Sequence, residues 1–212
     1  MNILDINGPF YRWLEKFTNY FLLNLLWILS CLPIVTIFPA TAAMFGVVRK
    51  WEQKEEVGIF KSFYSLFKEN FLRSFLFGIV WFSLSFLFYF NISVSLQMSG
   101  ILKFIMVPIL AFFCLLFIMT SVFLFPVMVH YKMRWLSLIK NAFLFSVTQI
   151  KVTILCGLVL LVSAVMSYIL PISFFIIWSI AAYNVYKLCN QSFYKMEVLG
   201  QSISQSNSTV EI

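Results

Sequence analysis

PIVTIFPATAAMFGVVRKW, residues 33–51, lies inside an apolar run that extends from residue 17 to 48. It carries two prolines, Pro33 and Pro39, then the small patch Ala40-Thr41-Ala42-Ala43, then the basic pair Arg49-Lys50. As one straight helix the run would measure roughly 48 Å at 1.5 Å per residue. The hydrocarbon core of a bilayer is only about 30 Å thick, so the run must bend. Proline removes a backbone donor and clashes with the preceding turn. Pro33 and Pro39 therefore end one helix and start another, with Pro39 suited to a helix N-terminus. Broken backbone at membrane depth must be buried in protein or line water, and a small-residue patch lets another helix approach closely. Three readings stay open: a packing corner within the chain's own bundle, a docking surface for a partner, or a substrate site of the broken-helix kind.

Working outward, the composition fixes the class. Hydrophobic residues make up 62% of the 212 residues, charged residues 11%, and the mean hydropathy is +0.94. A soluble domain carries about 25% charged residues, so this chain is read as a single multi-span membrane domain. No cleavable signal peptide is expected, because apolar segments recur as far as Leu188. The four cysteines, Cys31, Cys114, Cys156 and Cys189, lie in or beside apolar segments without CxxC spacing. They read as small buried hydrophobes rather than disulfide or metal ligands.

Every Asp, Glu, Lys and Arg falls at or outside the ends of the apolar segments. Ion-coupled transporters place an ionisable group at membrane depth, where its cost is tolerated because it works; the charge pattern argues against that class. The expected spans are 17–38, 71–95, 104–129, 152–168 and 172–188, with Gly100 and Pro171 marking short turns. Residues 1–16 are an interfacial lead-in, and 40–51, only about 18 Å of helix, is expected to lie at the membrane boundary. That arrangement puts the N-terminus outside; the alternative, a hairpin within 17–48, puts it inside, which suits Arg12 and Lys16. The loop at 49–73 holds Arg49, Lys50, Lys54, Lys61, Lys68 and Arg73, and the loop at 130–151 holds Lys132, Arg134, Lys140 and Lys151. By the positive-inside rule both are cytoplasmic and the C-terminus with them. Residues 1–199 form the membrane domain, and 200–212 read as a disordered polar cytoplasmic tail.

Both long loops also read as amphipathic. Phe60, Phe63, Tyr64, Phe67 and Phe71 share one helical face, as do Trp135, Leu138, Ile139, Ala142 and Phe143. Helices of this kind sit in the interface, where basic side chains meet anionic lipid. Residues 65–72 and 137–144 match at Ser, Leu, Lys, Phe and Leu, which would fit a duplicated unit of interface helix plus hairpin. The expected fold is thus an all-α polytopic membrane helical bundle, with about five membrane-embedded segments and two cytoplasmic amphipathic interface helices.

No phosphate-binding loop, dinucleotide fingerprint, GxSxG or HExxH motif occurs, and His130 is the single histidine. No catalytic, cofactor-binding or metal-ligating set is expected, and the net charge of +7 reports topology and lipid contact rather than nucleic-acid binding. Asn24, Ser83, Asn91, Thr120, Ser163, Ser167 and Asn184 are candidate interhelix glue. The candidate docking residues are Pro33, Pro39, Ala40, Thr41, Ala43, Met44, Arg49, Lys50, Phe63, Phe67, Lys68, Trp135 and Lys140.

LLNLLWILSCLPIVTIFPATAAMFGVVRKW (22–51) and FKSFYSLFKENFLRSFLFG (60–78) resemble the YesL-like family of bacterial membrane proteins. One departure is Phe38, where that family commonly has Gly before the proline, which would stiffen the corner. The resemblance implies a Gram-positive plasma-membrane protein without established catalytic residues, often encoded beside ABC importers for oligosaccharides. It implies an accessory subunit that binds the permease subunits of a carbohydrate ABC importer. The alternatives are a stand-alone permease for a neutral solute and a membrane chaperone or regulator.

Overall fold

The computed structural model describes residues 9–55, 58–131 and 133–210. Among them the secondary structure is entirely helical: α1 (Pro9–Ser30), α2 (Ile37–Glu52), α3 (Ile59–Gln97), α4 (Ile101–His130), α5 (Trp135–Thr148), α6 (Ile150–Ile169) and α7 (Phe174–Val210). Two short 3-10 turns, Ile34–Thr36 and Pro171–Ser173, precede α2 and α7. Five segments are long and apolar enough to cross a membrane: Ile34–Glu52, Ile59–Gln97, Ile101–His130, Ile150–Ile169 and Pro171–Val198. The chain is therefore a multi-pass helical membrane protein.

The first of these segments corrects the sequence reading. The chain does break around Pro33 and restart around Pro39, but the first helix ends at Ser30 rather than running to 38, and α2 is no boundary helix. Nine of its sixteen residues are buried, including the unbroken run from Ala42 to Val48. It packs against α1, α3, α4 and α7. The reason is its side chains: Ala40, Ala42, Ala43 and Gly46 let four neighbours approach one helix, as small residues do where lipid offers no competing hydrophobic drive.

Pro33 adopts an extended conformation ahead of the 3-10 turn. Pro39 falls in the first turn of α2, where its missing donor costs no helical bond. The Thr36 hydroxyl lies 2.5 Å from Ser30 O and 2.6 Å from Pro33 O, so the carbonyls freed by the break have a donor.

α1 and α2 form the hairpin. Tyr20 meets Trp51 ring to ring at 5.3 Å, and Trp27 Nε1 donates to Thr41 Oγ1 at 3.1 Å. As the number rises along α1 it falls along α2, so the two helices are antiparallel. The start of α1 thus sits at the same end of the bundle as Trp51. α7 runs antiparallel to α1 as well: Asn24 Nδ2 donates to Phe174 O at 2.6 Å, and Ser179 Oγ donates to Tyr20 O at 2.8 Å.

α3 merges two expected elements. The amphipathic stretch and the span form one 39-residue helix, about 58 Å long at 1.5 Å per residue. No proline interrupts 59–97, so the helical ladder has no reason to stop. The expected apolar face is divided between the chain's own core and its surface. Ile59, Ser62 and Phe63 are buried while Phe60 and Tyr64 are exposed. α5 remains a separate short helix, with Leu138, Ala142 and Ser146 buried and Phe143 exposed. The chain reverses between α3 and α4 at Gly100, whose φ of +80° favours a residue without Cβ. α7 continues through 200–210, where the sequence reading places a disordered tail. That segment lacks proline, and polarity alone does not stop a helix.

Candidate functional site

The bundle has two unlike ends. One, the turn end, holds the reversals at 31–36, 98–100 and 170–173. The other, the basic end, gathers the C-terminus of α2, the start of α3, the α4–α5 connection and the second half of α7. The chemically equipped side chains collect at the basic end.

Its inner part is an aromatic cluster. Phe193, fully buried on α7, packs its ring 4.9 Å from Phe145, 4.8 Å from His130, 5.5 Å from Tyr131 and 6.4 Å from Phe123. Such ring pairs add to the area they bury, so α4, α5 and α7 are pinned together here. Polar contacts edge the cluster: His130 Nδ1 lies 3.1 Å from the Tyr186 hydroxyl, and the Tyr131 hydroxyl donates to Glu197 Oε1 at 3.0 Å. Burial, with that bond to Glu197, pushes the Tyr131 phenol well above its ordinary range. It stays a neutral donor at any physiological pH.

Beside this cluster lies a cavity of about 560 Å³ between α2, α3 and the α4–α5 connection. Arg49, Lys50, Arg73 and Arg134 line it, together with Glu55 and Glu69. Two arginines are fixed by backbone: Arg49 Nη1 donates to Val129 O at 2.6 Å, and Arg73 donates through Nη2 to Met133 O. Two turns further along the chain surface, Lys61, Tyr64 and Lys68 form an exposed basic and aromatic strip on α3.

The structure splits the candidate docking residues into two groups. Pro39, Ala40, Ala43, Met44 and Phe63 are buried within the chain and present no surface to a partner. The 33–51 stretch is thus a packing corner of the chain's own bundle. Pro33, Lys68, Trp135 and Lys140 are exposed, and Thr41, Arg49, Lys50 and Phe67 are half-buried. Of the candidate glue residues, Asn24 bridges two helices; Asn91, Thr120, Ser163, Ser167 and Asn184 bond to carbonyls three or four residues back in their own helix. Further interhelix bonds come from Trp27, from Ser179 and from Trp81, whose Nε1 donates to Ser121 Oγ at 2.8 Å. Phe38 has a clear role: its ring lies against Gly78, where an added Cβ would sit 3.1 Å from Phe38 Cγ, and it contacts the rings of Phe82 and Phe125. Sequence reasoning missed Arg73 as a site residue. It read as an interfacial anchor, and nothing local signals that it lines the same cavity as Arg49. Among the described residues no group of His, Cys, Asp or Glu could hold a metal ion.

Residues 20–92 match the family model described as protein of unknown function DUF624. The chain is 31% identical over 146 residues to the uncharacterized protein YteU of Bacillus subtilis, covering 68% of this chain and 65% of that one. It is 27% identical over 137 residues to YesL of the same organism (63% and 64%), and 29% over 163 residues to YesV (73% and 78%). The chain thus spans 65% and 64% of the lengths of YteU and YesL. No solved structure matches it. The family match covers the corner motif and all of the α3 sequence except its last five residues, and so includes both segments that carry the YesL-like resemblance.

Proposed function

We propose that this chain, which is similar to the uncharacterized proteins YteU, YesL and YesV, is a non-catalytic accessory subunit of a carbohydrate ABC importer. In this reading it sits in the plasma membrane with its basic end, its N-terminal side and α7's C-terminal end in the cytoplasm, as the Lys and Arg distribution favours. It binds the permease subunits there and carries no solute itself.

The observation that carries the reading is the outer face of the first third of α3. Phe60 and Tyr64 are 60% and 70% exposed, next to exposed Lys61 and Lys68. The opposite face, Ile59, Ser62 and Phe63, is already spent on the chain's own core. α3 is about 58 Å long, nearly twice the hydrocarbon thickness, so this third extends beyond what a crossing requires. Exposed aromatics interleaved with lysines belong at the headgroup level, within reach of the membrane-edge surface of a partner. The central position of α2, packed by four helices, supports an accessory role over a conduit. The class of partner rests on the genetic company that the YesL-like resemblance implies.

A C-terminally tagged chain, solubilised mildly from native membranes, is expected to bring down ABC permease subunits in fixed stoichiometry. The Tyr64→Ala/Lys68→Gln variant is expected to lose them while eluting as the same folded species. Recovery of the chain alone, under conditions that keep known importers intact, overturns the proposal.

A further inference from the structure

The cavity at the basic end has the construction of an oxyanion site. Arg49 comes from α2 and Arg73 from α3, and each guanidinium is oriented by a backbone carbonyl of the α4–α5 region. A carbonyl fixes direction but neutralises no charge. The Nε of each guanidinium is also buried without an acceptor among the described protein atoms, so each fork keeps a donor that the chain's own atoms leave unused. Burying a charge is costly unless it is paired. Lys50 adds a third half-buried cation, and Arg134 a fourth from the exposed N-terminal edge of α5. The two carboxylates that share the lining, Glu55 and Glu69, are both exposed. The cavity is therefore cationic inside and mixed at its rim.

We infer that this cavity binds a phosphate group, with Arg49 and Arg73 as the orienting forks and Lys50 and Arg134 closing around the charge. Arginine suits this use because its planar fork matches phosphate oxygens in a bidentate way. The volume of about 560 Å³ exceeds that of a bare ion and admits a phosphate with a small alcohol attached. Leu66 and Met128 give the same cavity an apolar side, and the helices that form it continue into the membrane-spanning region. The phosphate can thus belong to an anionic lipid headgroup or to a soluble ion. The inference stands on the cavity alone and is independent of the importer proposal.

The full chain, purified in neutral detergent, is titrated with mixed micelles containing phosphatidylglycerol or phosphatidylcholine. Separately it is titrated with sodium phosphate at constant ionic strength, and unfolding is followed by tryptophan fluorescence. The expected result is a saturable upward shift in melting temperature with phosphatidylglycerol or phosphate, and none with phosphatidylcholine. Response to phosphatidylglycerol alone identifies the lipid headgroup as the source; response to phosphate as well identifies the free ion. Arg73→Lys keeps the charge but loses the fork, and should move the titration midpoint at least tenfold. Because Arg73 also holds Met133, the Lys50→Gln/Arg134→Gln variant provides a second reading, with the same tenfold weakening expected. Equal stabilisation by both lipids, no stabilisation by either source, or unchanged midpoints in the folded variants overturns the inference.

Discussion

The turn end and the basic end of this bundle are closed by different means. At the turn end the backbone reverses within a few residues, and single polar side chains seal it. Thr36 serves the carbonyls of the first break, Asn24 ties α1 to the start of α7, and Ser173 serves Leu170 O at 2.7 Å. Around them large apolar side chains stay exposed, among them Ile34, Ile101, Phe104, Tyr168 and Ile172. At the basic end the closure is thick. A buried aromatic cluster joins α4, α5 and α7, and two arginines cross between helices to reach backbone carbonyls. The turn end is built to reverse a chain cheaply in lipid, whereas the basic end holds a shaped, charged cavity. Rigidity at the basic end is what a binding surface needs, because a site is only as exact as the elements that hold it.

That contrast can be broken by mutation, and the largest effect belongs to the basic end. Phe193→Ala empties a fully buried position among four rings. It is expected to cost about 3–5 kcal/mol, read as a marked loss of melting temperature in detergent. A smaller effect is expected in the middle of the bundle. Gly78→Ala would push a Cβ against the Phe38 ring, with contacts at 3.1 Å, whereas at Gly46 the nearest atoms are the flexible end of Leu66, at 3.0 Å. Gly78→Ala is expected to destabilise by about 1–3 kcal/mol and Gly46→Ala by clearly less, measured side by side in the same assay. The smallest effect is expected at the turn end. Asn24→Ala removes one interhelix bond, worth about 0.6 kcal/mol on average in a membrane protein. If Asn24→Ala proves as damaging as Phe193→Ala, the two ends are not different in kind.

Much of this was legible in the sequence. The spans from α3 onward follow from apolar length and the placement of charge, and the short turns at Gly100 and Pro171 stand where expected. The two prolines mark the first break correctly, but hydropathy stays high across it, so a span bound of 38 overshoots the end of α1 at Ser30. Pro33 disfavours helical geometry in the residue before it, and that rule puts the end of α1 near Ser30, where it lies. The continuity of α3 had a signal too, in the lack of any proline across 59–97. The 60–71 stretch is not a separate helix but the first part of α3; of its expected apolar face Phe63 packs inward beside Ile59 and Ser62, while Phe60 and Tyr64 stay exposed. The cavity had no local signal at all. Arg49 and Arg73 are far apart in sequence and lie on different helices, and each alone resembles an ordinary membrane-edge anchor. Only the antiparallel packing of α2 with its neighbours brings them to one wall.

The central claim is that α1 and α2 form a hairpin around the 31–36 break, so that the start of α1 shares the basic end with the C-terminus of α2 and the N-terminus of α5. Its most direct test is labelling of single cysteines by a membrane-impermeant maleimide in intact cells. The background carries serine at Cys31, Cys114, Cys156 and Cys189. Ser99→Cys, in the exposed α3–α4 turn, is expected to label from outside. Arg12→Cys, Glu55→Cys and Arg134→Cys are expected to label only after permeabilisation. External labelling at Arg12→Cys, with Glu55→Cys still protected, would contradict the hairpin and place the start of α1 across the membrane from the cavity.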